Sequence, residues 1–143
     1  MMKCLKFKID GKPVAKQSIK FTRSGMRYTP AHIAEYSNWV KLCFKQAYPD
    51  FMPDTLTDAP LCASIAVAFE IPKSFAKGKR LAAEHNVIRP IVKPDCDNIA
   101  KNILDSLNGL AYSDDKQIVD LKVSKFYGMS AYVTVEIRKG ITK

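Results

Sequence analysis

The sequence predicts an α+β (mixed α/β) fold: one compact domain over residues 1–143, with a small mixed or largely antiparallel sheet and two main helices. A chain of 143 residues has the usual size of a single domain and can bury a core. Several segments carry apolar residues at alternate positions, as strands do, and two repeat apolar residues at spacings of three and four, as helices do. The last two strand segments are near enough in sequence to form a hairpin, which favours antiparallel pairing.

The strand predictions rest on alternate apolar residues in four segments. The first segment is expected to be half-buried, because charged residues stand between its apolar ones. The second is mostly apolar, which predicts an inner strand. The third and fourth are expected to join near Gly128 to Ser130. The segments are residues 4–10, 61–72, 117–127 and 131–139, with Leu5, Phe7, Ile9, Ile65, Val67, Phe69, Ile71, Val119, Leu121, Val123, Val133, Val135 and Ile137 on the inner faces.

The first predicted helix lies within residues 29–48, where Thr29 can serve as the N-cap and Pro30 as the first helical residue. Its apolar stripe is flanked by Trp39 and Phe44, which we expect in the core rather than on a base-stacking surface. The stripe that makes the helix amphipathic consists of Ile33, Tyr36, Val40, Cys43 and Ala47.

The second predicted helix begins at Asp95 or Cys96, because Pro94 disfavours helical geometry in the residue before it. Asn108-Gly109 is a typical stop signal at its other end. The apolar face of this helix consists of Ile99, Ile103, Leu104 and Leu107.

Positive charge is concentrated in two parts of the chain, whose formal net charge is +9. Residues 1–48 hold ten Lys or Arg against two acidic residues, and residues 73–93 hold six against one. Residues 11–28, rich in Lys, Arg, Gly and Pro, predict a basic loop or loose hairpin. Such concentration favours a polyanionic partner, because phosphate contacts release counterions, although lysines that serve only solubility explain the charge equally well.

Several classes of protein do not fit the sequence. The longest apolar runs are far shorter than the roughly 18 residues of a membrane span. The first residues lack the continuous apolar core of a signal peptide, so a cytoplasmic protein is expected. The four cysteines form no C-x-x-C pair, and with only two histidines they predict buried reduced thiols rather than a zinc site. They are Cys4, Cys43, Cys62 and Cys96, the last without a nearby base to make it a nucleophile.

The segment KPDCDNIAKNILDSLNGLAYSDDKQI, residues 93–118, gathers five of the 14 acidic residues of this basic chain. Two aspartates and a lysine at four-residue spacing share one face of the predicted helix. The chain then turns back to an Asp-Asp doublet, so carboxylates from a helix start and a strand start can meet. We call these aspartates the acidic cluster: Asp95, Asp97, Asp105, Asp114 and Asp115, with Lys101 as the lysine.

Carboxylates around one point repel one another unless a cation lies between them. Mg²⁺ and Mn²⁺ prefer oxygen ligands and leave positions for water and phosphate oxygens. Such an ion activates water and neutralises charge on a reacting phosphodiester. Lys101, one helical turn along, can hold the scissile phosphate or stabilise that charge.

An alternative assigns the same residues ordinary structural roles. Aspartate is favoured at helix starts, and an Asp-Asp pair before a strand is common turn chemistry. Asp97 and Lys101 have the spacing of a helical ion pair, and Asp105 can also pair with Lys101. Asp120, on the next strand, is expected to be solvated. Spacing alone leaves both interpretations open.

The run KPDCDNIAKNILDSLNG followed by YSDDKQI resembles the RusA family of Holliday junction resolvases, in particular its phage and prophage branch. That family carries P-D-x-D-N-x-x-K-x-x-x-D and then Asp-Asp-x-Q-[IV] some twenty residues after the first Asp. The segment GKPVAKQSIKFTRSGMRYTP also resembles the Lys/Arg-rich lead of that branch. The resemblance implies a small mixed α/β homodimer that makes paired nicks in four-way DNA junctions with Mg²⁺ or Mn²⁺.

The resemblance also implies roles for single residues. The metal-binding aspartates correspond to Asp95, Asp97 and Asp115, with Asp114 as a candidate supporting ligand, and the catalytic lysine corresponds to Lys101. Departures from the family pattern are Gln17 and Ile19, which thin the basic lead, and Cys96 at a more often aliphatic position. Candidate DNA contacts are Lys16, Lys20, Arg23, Arg27, Lys73, Lys77, Lys79 and Arg80.

The function predicted from the sequence is a crossover junction endodeoxyribonuclease, a bacterial or phage-encoded hydrolase of DNA recombination and repair. Its expected partners are branched DNA and a second copy of the chain, with neither a membrane nor a small-molecule cofactor. One alternative is a non-catalytic module that binds junctions or other DNA, although binding phosphates gives no reason to collect carboxylates. The other is a nucleotide phosphohydrolase, for which the sequence lacks a Gly-rich phosphate cradle.

Overall fold

The computed structural model describes residues 4–14, 20–21, 25, 27–28, 31–52 and 59–140. In these residues the chain forms strands, α-helices and one turn of 3-10 helix at Asp115–Gln117. The strands are β1 (Cys4–Asp10), β2 (Lys20–Phe21), β3 (Arg27–Tyr28), β4 (Leu61–Glu70), β5 (Ile118–Gly128) and β6 (Tyr132–Lys139), and the helices are α1 (Ala31–Ala47), α2 (Lys77–Glu84) and α3 (Cys96–Ser106).

Four of the strands form a mixed sheet in the order β1-β6-β4-β5. Strand β6 runs antiparallel to both β1 and β4, whereas β4 and β5 are parallel. The short strands β2 and β3 pair with each other in the basic lead, as a loose hairpin would. The predicted α+β class with a mixed sheet is therefore confirmed.

The prediction that the last two strands form a hairpin is wrong. β4 lies between β5 and β6, so the connection over residues 129–131 crosses the end of β4. Gly128 stands at this crossing, where an added Cβ would lie 3.4 Å from the Cβ of Ala68. A short connection between two strands ordinarily favours a hairpin, which is why β5 and β6 were expected to pair. Here the mostly buried β4 takes the inner place, because it is apolar on both faces and gains most from having a strand on either side.

The core lies between one face of the sheet and helices α1 and α3. The alternation predicted for β1 and β6 is confirmed, since their apolar residues are at most 5% exposed. Helix α3 buries its apolar face in the same cluster, and its first residue agrees with the predicted start after Pro94. The buried faces are Leu5, Phe7 and Ile9 of β1, Val133, Val135 and Ile137 of β6, and Ile99, Ile103 and Leu104 of α3, followed by Leu107.

The prediction for β5 is wrong in burial, although right in orientation. Leu121 lies beside Ala63 and Val123 beside Ile65, so these side chains share the core face of the sheet. Yet Val119 and Leu121 are 60% and 49% exposed. The reason is the position of β5 at the edge of the sheet, where the helical layer does not cover the first half of the strand.

Two further predictions need correction. Trp39 is 39% exposed rather than in the core, and its indole N–H donates a hydrogen bond to the carbonyl of Asp10 at 2.8 Å. Phe44 is buried as expected. Cys4 is exposed because it lies on the polar face of β1, whereas Cys43 and Cys62 are buried and Cys96 is partly buried. Thr29 and Pro30, the predicted start of the first helix, lie outside the described residues.

Helix α2 is an addition to the two main helices expected from the sequence. It occupies the basic stretch after β4, and Ala83 is its buried residue. Most of its other side chains are exposed, which explains the lack of a clear apolar stripe in the sequence. No helix within the described parts of the chain is long and apolar enough to cross a membrane.

Candidate active site

Helix α3 turns one face to the core and presents the polar side chains of the acidic cluster on the other. Asp97 and Lys101 are exposed, whereas Asp105 is partly buried near the end of the helix. These three residues are separated by four positions each, so they follow one another along a single face. Asp97 and Asp105 are about 12 Å apart along the helix axis, because each residue adds about 1.5 Å.

Asp95 and Asp97 stand at the N-terminal end of α3. Asp95 has the extended backbone of an N-cap, but its side chain makes no capping hydrogen bond. The ion pairs within 4.0 Å among the described residues are Lys6–Glu136 and Lys8–Asp10, so Asp97 is not paired with Lys101. The structural alternative raised by the sequence, capping and ion pairing, is therefore not observed at this end of the helix.

The Asp-Asp doublet has a different local role. Asp114 precedes the 3-10 turn, and its side chain accepts a hydrogen bond from the N–H of Lys116 at 2.9 Å. The side chain of Gln117 accepts hydrogen bonds from the N–H groups of Ser113 and Asp114, at 3.0 and 3.1 Å. The predicted capping role is thus confirmed for Asp114. The reciprocal capping box holds the backbone of the doublet in place.

Asp115 points back towards the end of α3. Its N–H donates to the side-chain oxygen of Asn108 at 2.8 Å, which ties the doublet to the helix terminus. Its carboxyl group hydrogen-bonds with those of Asp105 and Asp114, so three members of the acidic cluster are in contact. The sequence predicted that carboxylates from the start of the helix meet the doublet, whereas the observed contact joins the doublet to Asp105, near the C-terminal end of α3.

The contact between these carboxyl groups is visible in their acidity. Burial, followed by the hydrogen bonds to Asp105 and Asp114, raises the pKa of Asp115 to about 6. The pKa of Asp114 is lowered, chiefly by the N–H of Lys116 and then by its hydrogen bond with Asp115. Asp115 is therefore the member of this group that takes up a proton first as the pH falls towards 6.

Tyr112 lies in the turn between α3 and the doublet. It is fully buried, and its hydroxyl donates to the carbonyl of Leu104 at 2.6 Å. Its pKa is raised, first by burial and then by the negative charge of Asp115, Asp105 and Asp114. The tyrosine therefore stays neutral and serves as a rigid link between α3 and the doublet. The sequence alternation did not reveal this role, because Tyr112 lies in an irregular turn.

The full chain can now be compared with known proteins. Residues 10–138 match the family model described as endodeoxyribonuclease RusA, which spans most of the chain and every member of the acidic cluster. The chain belongs to this family. A second similarity adds no function to the RusA assignment: the chain is 40% identical over 144 aligned residues to the uncharacterized protein YqaN of Bacillus subtilis (strain 168), covering 96% of this chain and 98% of that protein.

The carboxylate oxygens of the acidic cluster are suited to a hard divalent cation. Carboxylate oxygens are the ligands that Mg²⁺ and Mn²⁺ prefer, and the carboxyl group of Asp115 lies in contact with those of Asp105 and Asp114. In the described part of the chain, no three acidic, His or Cys side chains are arranged to hold one metal ion. Asp97 lies about two helical turns before Asp105, the residue of α3 that contacts Asp115.

The candidate DNA contacts fall into two groups. Lys73, Lys77 and Lys79 are exposed on and before α2, and the ammonium group of Lys79 lies 4.2 Å from the centre of the Phe75 ring. Arg80 is partly buried and donates to the carbonyl of Pro72 at 3.1 Å. Lys16 and Arg23 lie outside the described residues, and only the backbone of Lys20 and Arg27 is described, in β2 and β3.

Two side chains that position the site were not singled out from the sequence. The sequence marks Asn108 as part of a helix stop, but its side-chain oxygen also accepts a hydrogen bond from the N–H of Asp115. Asn102 is 2% exposed on α3, and its amide donates to the carbonyl of Val14 at 2.6 Å. This bond ties the basic lead to the helix that carries Lys101. A buried polar residue on an otherwise apolar helix face was the available signal.

Replacing Gln117 with Ala is expected to destabilise the doublet. The variant leaves the N–H groups of Ser113 and Asp114 without their acceptor and removes the donor to the carbonyl of Ala59. We expect the free energy of unfolding to fall by about 1–2 kcal/mol in urea titrations at fixed protein concentration. Gln46→Ala, an exposed change on α1, serves as the control. Equal stability of the two variants would contradict the role assigned to Gln117.

Replacing Asp115 with Asn is expected to stabilise the metal-free protein above pH 6. The folded pKa of about 6 is higher than the value of about 4 in an unfolded chain, so stability is lost as the pH rises between these values. The variant lacks this loss, so above pH 6 its free energy of unfolding should exceed that of the wild type by on the order of 1 kcal/mol or less, because solvent screens the group. The measurement is thermal unfolding in EDTA at pH 4.5 and 7.5. Asp50→Asn, an exposed control, should show no such pH-dependent gain.

Proposed function

We propose that the chain is a metal-dependent endodeoxyribonuclease that resolves four-way DNA junctions by paired, symmetric hydrolysis of phosphodiester bonds. The observation that carries this proposal is the acidic cluster of a RusA family member, with aspartates left uncapped and unpaired at the start of α3. A protein that only binds DNA phosphates gains nothing from exposed carboxylates on a basic chain. The paired nicks would serve DNA recombination and repair.

The proposed metal ligands are Asp95, Asp97 and Asp115, with Asp114 as a supporting ligand. A bound Mg²⁺ or Mn²⁺ supplies an activated water and neutralises charge on the phosphate. The protein's own contribution begins with position: α3 holds two carboxylates at its start, and the capping box holds the doublet at its end. Asp115 would offer its carboxylate to the ion from a position fixed by the N–H bond to Asn108.

Lys101 is the proposed catalytic lysine. It is exposed between Asp97 and Asp105 on the polar face of α3, so its ammonium group is available to a phosphate that approaches the acidic cluster. There it neutralises the charge that develops on the phosphodiester oxygens. The exposed lysines around α2 are the proposed contacts to the flanking DNA backbone, together with those of the basic lead.

A symmetric substrate requires two cuts, so we include a homodimer in the proposal. A two-fold dimer presents two identical sites to a junction of nearly two-fold symmetry. One chain supplies one acidic cluster and hence one nick. Paired nicks on opposite strands then follow from the symmetry of the complex rather than from two different sites on one chain.

The test is incubation of the purified protein with a labelled four-way junction and a linear duplex of matched sequence, each with Mg²⁺, Mn²⁺ or EDTA. Paired symmetric nicks in the junction alone, lost in EDTA, are the expected result. Tight junction binding without cutting in either metal would support the alternative, a non-catalytic junction-binding module. Cutting of both substrates at equal rates would retain the nuclease and reject the junction specificity.

A further inference from the structure

The mixed sheet has two outer edges, and they differ in what covers them. Along β1, the hydroxyl of Tyr48 accepts from the N–H of Lys6 at 2.8 Å and donates to its carbonyl at 3.1 Å. The indole of Trp39 donates to the carbonyl of Asp10. Side chains of α1 and the turn after it thus bond the outer backbone groups of Lys6 and the carbonyl of Asp10, and so cover part of this edge.

The edge of β5 is covered over its second half only. Arg89 donates to the carbonyl of Lys125 at 2.8 Å, and the ammonium group of Lys125 donates to the carbonyl of Val92 at 2.6 Å. Phe75 packs edge-on against Tyr127, two residues further. Among the described strands, β5 pairs with β4 alone. Among the described residues, nothing pairs with the outer edge of the stretch 118–124, which we call the open strand edge.

Apolar and charged residues alternate along this open stretch. Val119, Asp120, Leu121 and Lys122 are all exposed. Leu121, beside Ala63, lies on the helix-covered face of the sheet, whereas Asp120 and Lys122, beside Cys62 and Ser64, lie on the opposite face. A long exposed edge strand with apolar side chains is a site at which other strands add, and soluble proteins usually protect it.

We infer that two copies of this chain pair antiparallel along residues 118–124, with Leu121 on the two-fold axis. The two-fold axis of such a pair is perpendicular to the sheet, so each face of one copy continues into the same face of the other. The numbers of two residues that lie opposite each other then add up to an even number. With Leu121 opposite itself, Asp120 faces Lys122 of the second copy and Lys122 faces Asp120. Each dimer then contains two cross-strand ion pairs, and the two Leu121 side chains meet on the apolar side.

The neighbouring registers are electrostatically unfavourable. A shift that centres the pair on Asp120 places the two aspartates opposite each other, and a shift that centres it on Lys122 does the same with the lysines. Leu121 is also the midpoint of the stretch left open by Arg89 and Val92. Charge and coverage are independent observations, and both select the same centre.

The inferred pairing rests on the proposed function for its biological meaning, and it adds a geometry to it. The two sheets merge into one, with four strands from each copy. Because the axis is perpendicular to this sheet, the helical layers of both copies lie on the same side. Both α3 helices, and with them both acidic clusters, then face one side of the dimer, where a single junction can meet both. The 3-10 turn with Asp115 directly precedes the paired strand.

Charge reversal tests the register without DNA. Asp120→Lys and Lys122→Asp each place like charges opposite each other twice per dimer, so each should raise the dimer dissociation constant about tenfold or more in sedimentation equilibrium. The double variant Asp120→Lys/Lys122→Asp restores both pairs and should return the constant to within a few-fold of wild type. Glu84→Lys and Lys45→Asp carry the same charge changes at exposed sites elsewhere and should have no effect.

A cysteine at the two-fold axis tests the centre. In a Cys4→Ser background, Leu121→Cys should cross-link into a dimer with a short bifunctional thiol reagent, because opposite Cβ atoms lie about 5 Å apart. Leu42→Cys, also exposed but on α1, should not.

A monomeric wild-type protein would overturn the inference. So would a dimer that neither responds to the charge reversals nor cross-links through position 121. These readouts need no DNA, so they stand apart from the nuclease test. A dimer that behaves as expected but cuts no junction would retain the interface and reject the proposed function.

Discussion

Asp97→Asn is expected to abolish junction cleavage, lowering the single-turnover rate by about a thousandfold or more. It removes one charged ligand of the proposed metal ion, which activates the attacking water. Junction binding should stay unchanged or become tighter, because a negative charge that faces phosphate is lost. The side chain is exposed and makes no capping bond, so the fold should be unaffected. The measurements are quenched cleavage time courses with saturating protein and binding in Ca²⁺ or EDTA.

The matched control is Asp50→Asn, an exposed aspartate in the turn after α1. It should cut at the wild-type rate. If Asp97→Asn also cuts at that rate, then the start of α3 is not part of the catalytic site. The acidic cluster would then be reduced to the group around Asp115.

Lys101→Ala is expected to lose cleavage by about a hundredfold or more while retaining its fold. An exposed lysine on a helix contributes little to stability, so the free energy of unfolding should change by no more than about 0.5 kcal/mol. Lys101→Arg tests geometry, because a guanidinium keeps the charge but places it differently. The readouts are the single-turnover rate and urea unfolding of the same samples.

Lys45→Ala, in the last turn of α1, is the control for removing an exposed helical lysine. It should leave both quantities unchanged. Parallel losses of stability and cleavage in Lys101→Ala would mean that the lysine supports the fold. They would count against a catalytic role.

The elements of the fold were largely predictable, because their signals are local. Period-two alternation marked β1 and β6, and Pro94 and Gly109 bracketed α3. The order of the strands was not predictable in the same way. It depends on which strand gains most from a central place, and β4 separates two strands that are only three residues apart in sequence.

Burial was predictable where a strand has neighbours and failed at the edge. Alternation tells which face a side chain occupies, so Leu121 is on the core face as expected. It does not tell how far the helical layer extends over that face. The same failure points to the inferred dimer edge, where a residue patterned for burial is exposed.

The residues of the candidate site were visible in the sequence, but their grouping was not. Helical spacing placed Asp97, Lys101 and Asp105 on one face. The contact of Asp105 with Asp115 depends on a turn held by Asn108 and Gln117, whose side-chain bonds no pattern displays. The roles carried over by family resemblance for Asp95, Asp97, Lys101 and Asp115 remain predictions.

The central claim is that Asp97 and Asp115 bind the same metal ion, and calorimetric titration of Mn²⁺ into the protein tests it most directly. The wild type should bind one ion per chain in this site. Asp97→Asn and Asp115→Asn should each weaken that binding at least about tenfold, whereas Asp50→Asn should not. Binding that Asp115→Asn removes and Asp97→Asn leaves intact, or no binding at all, would contradict the account.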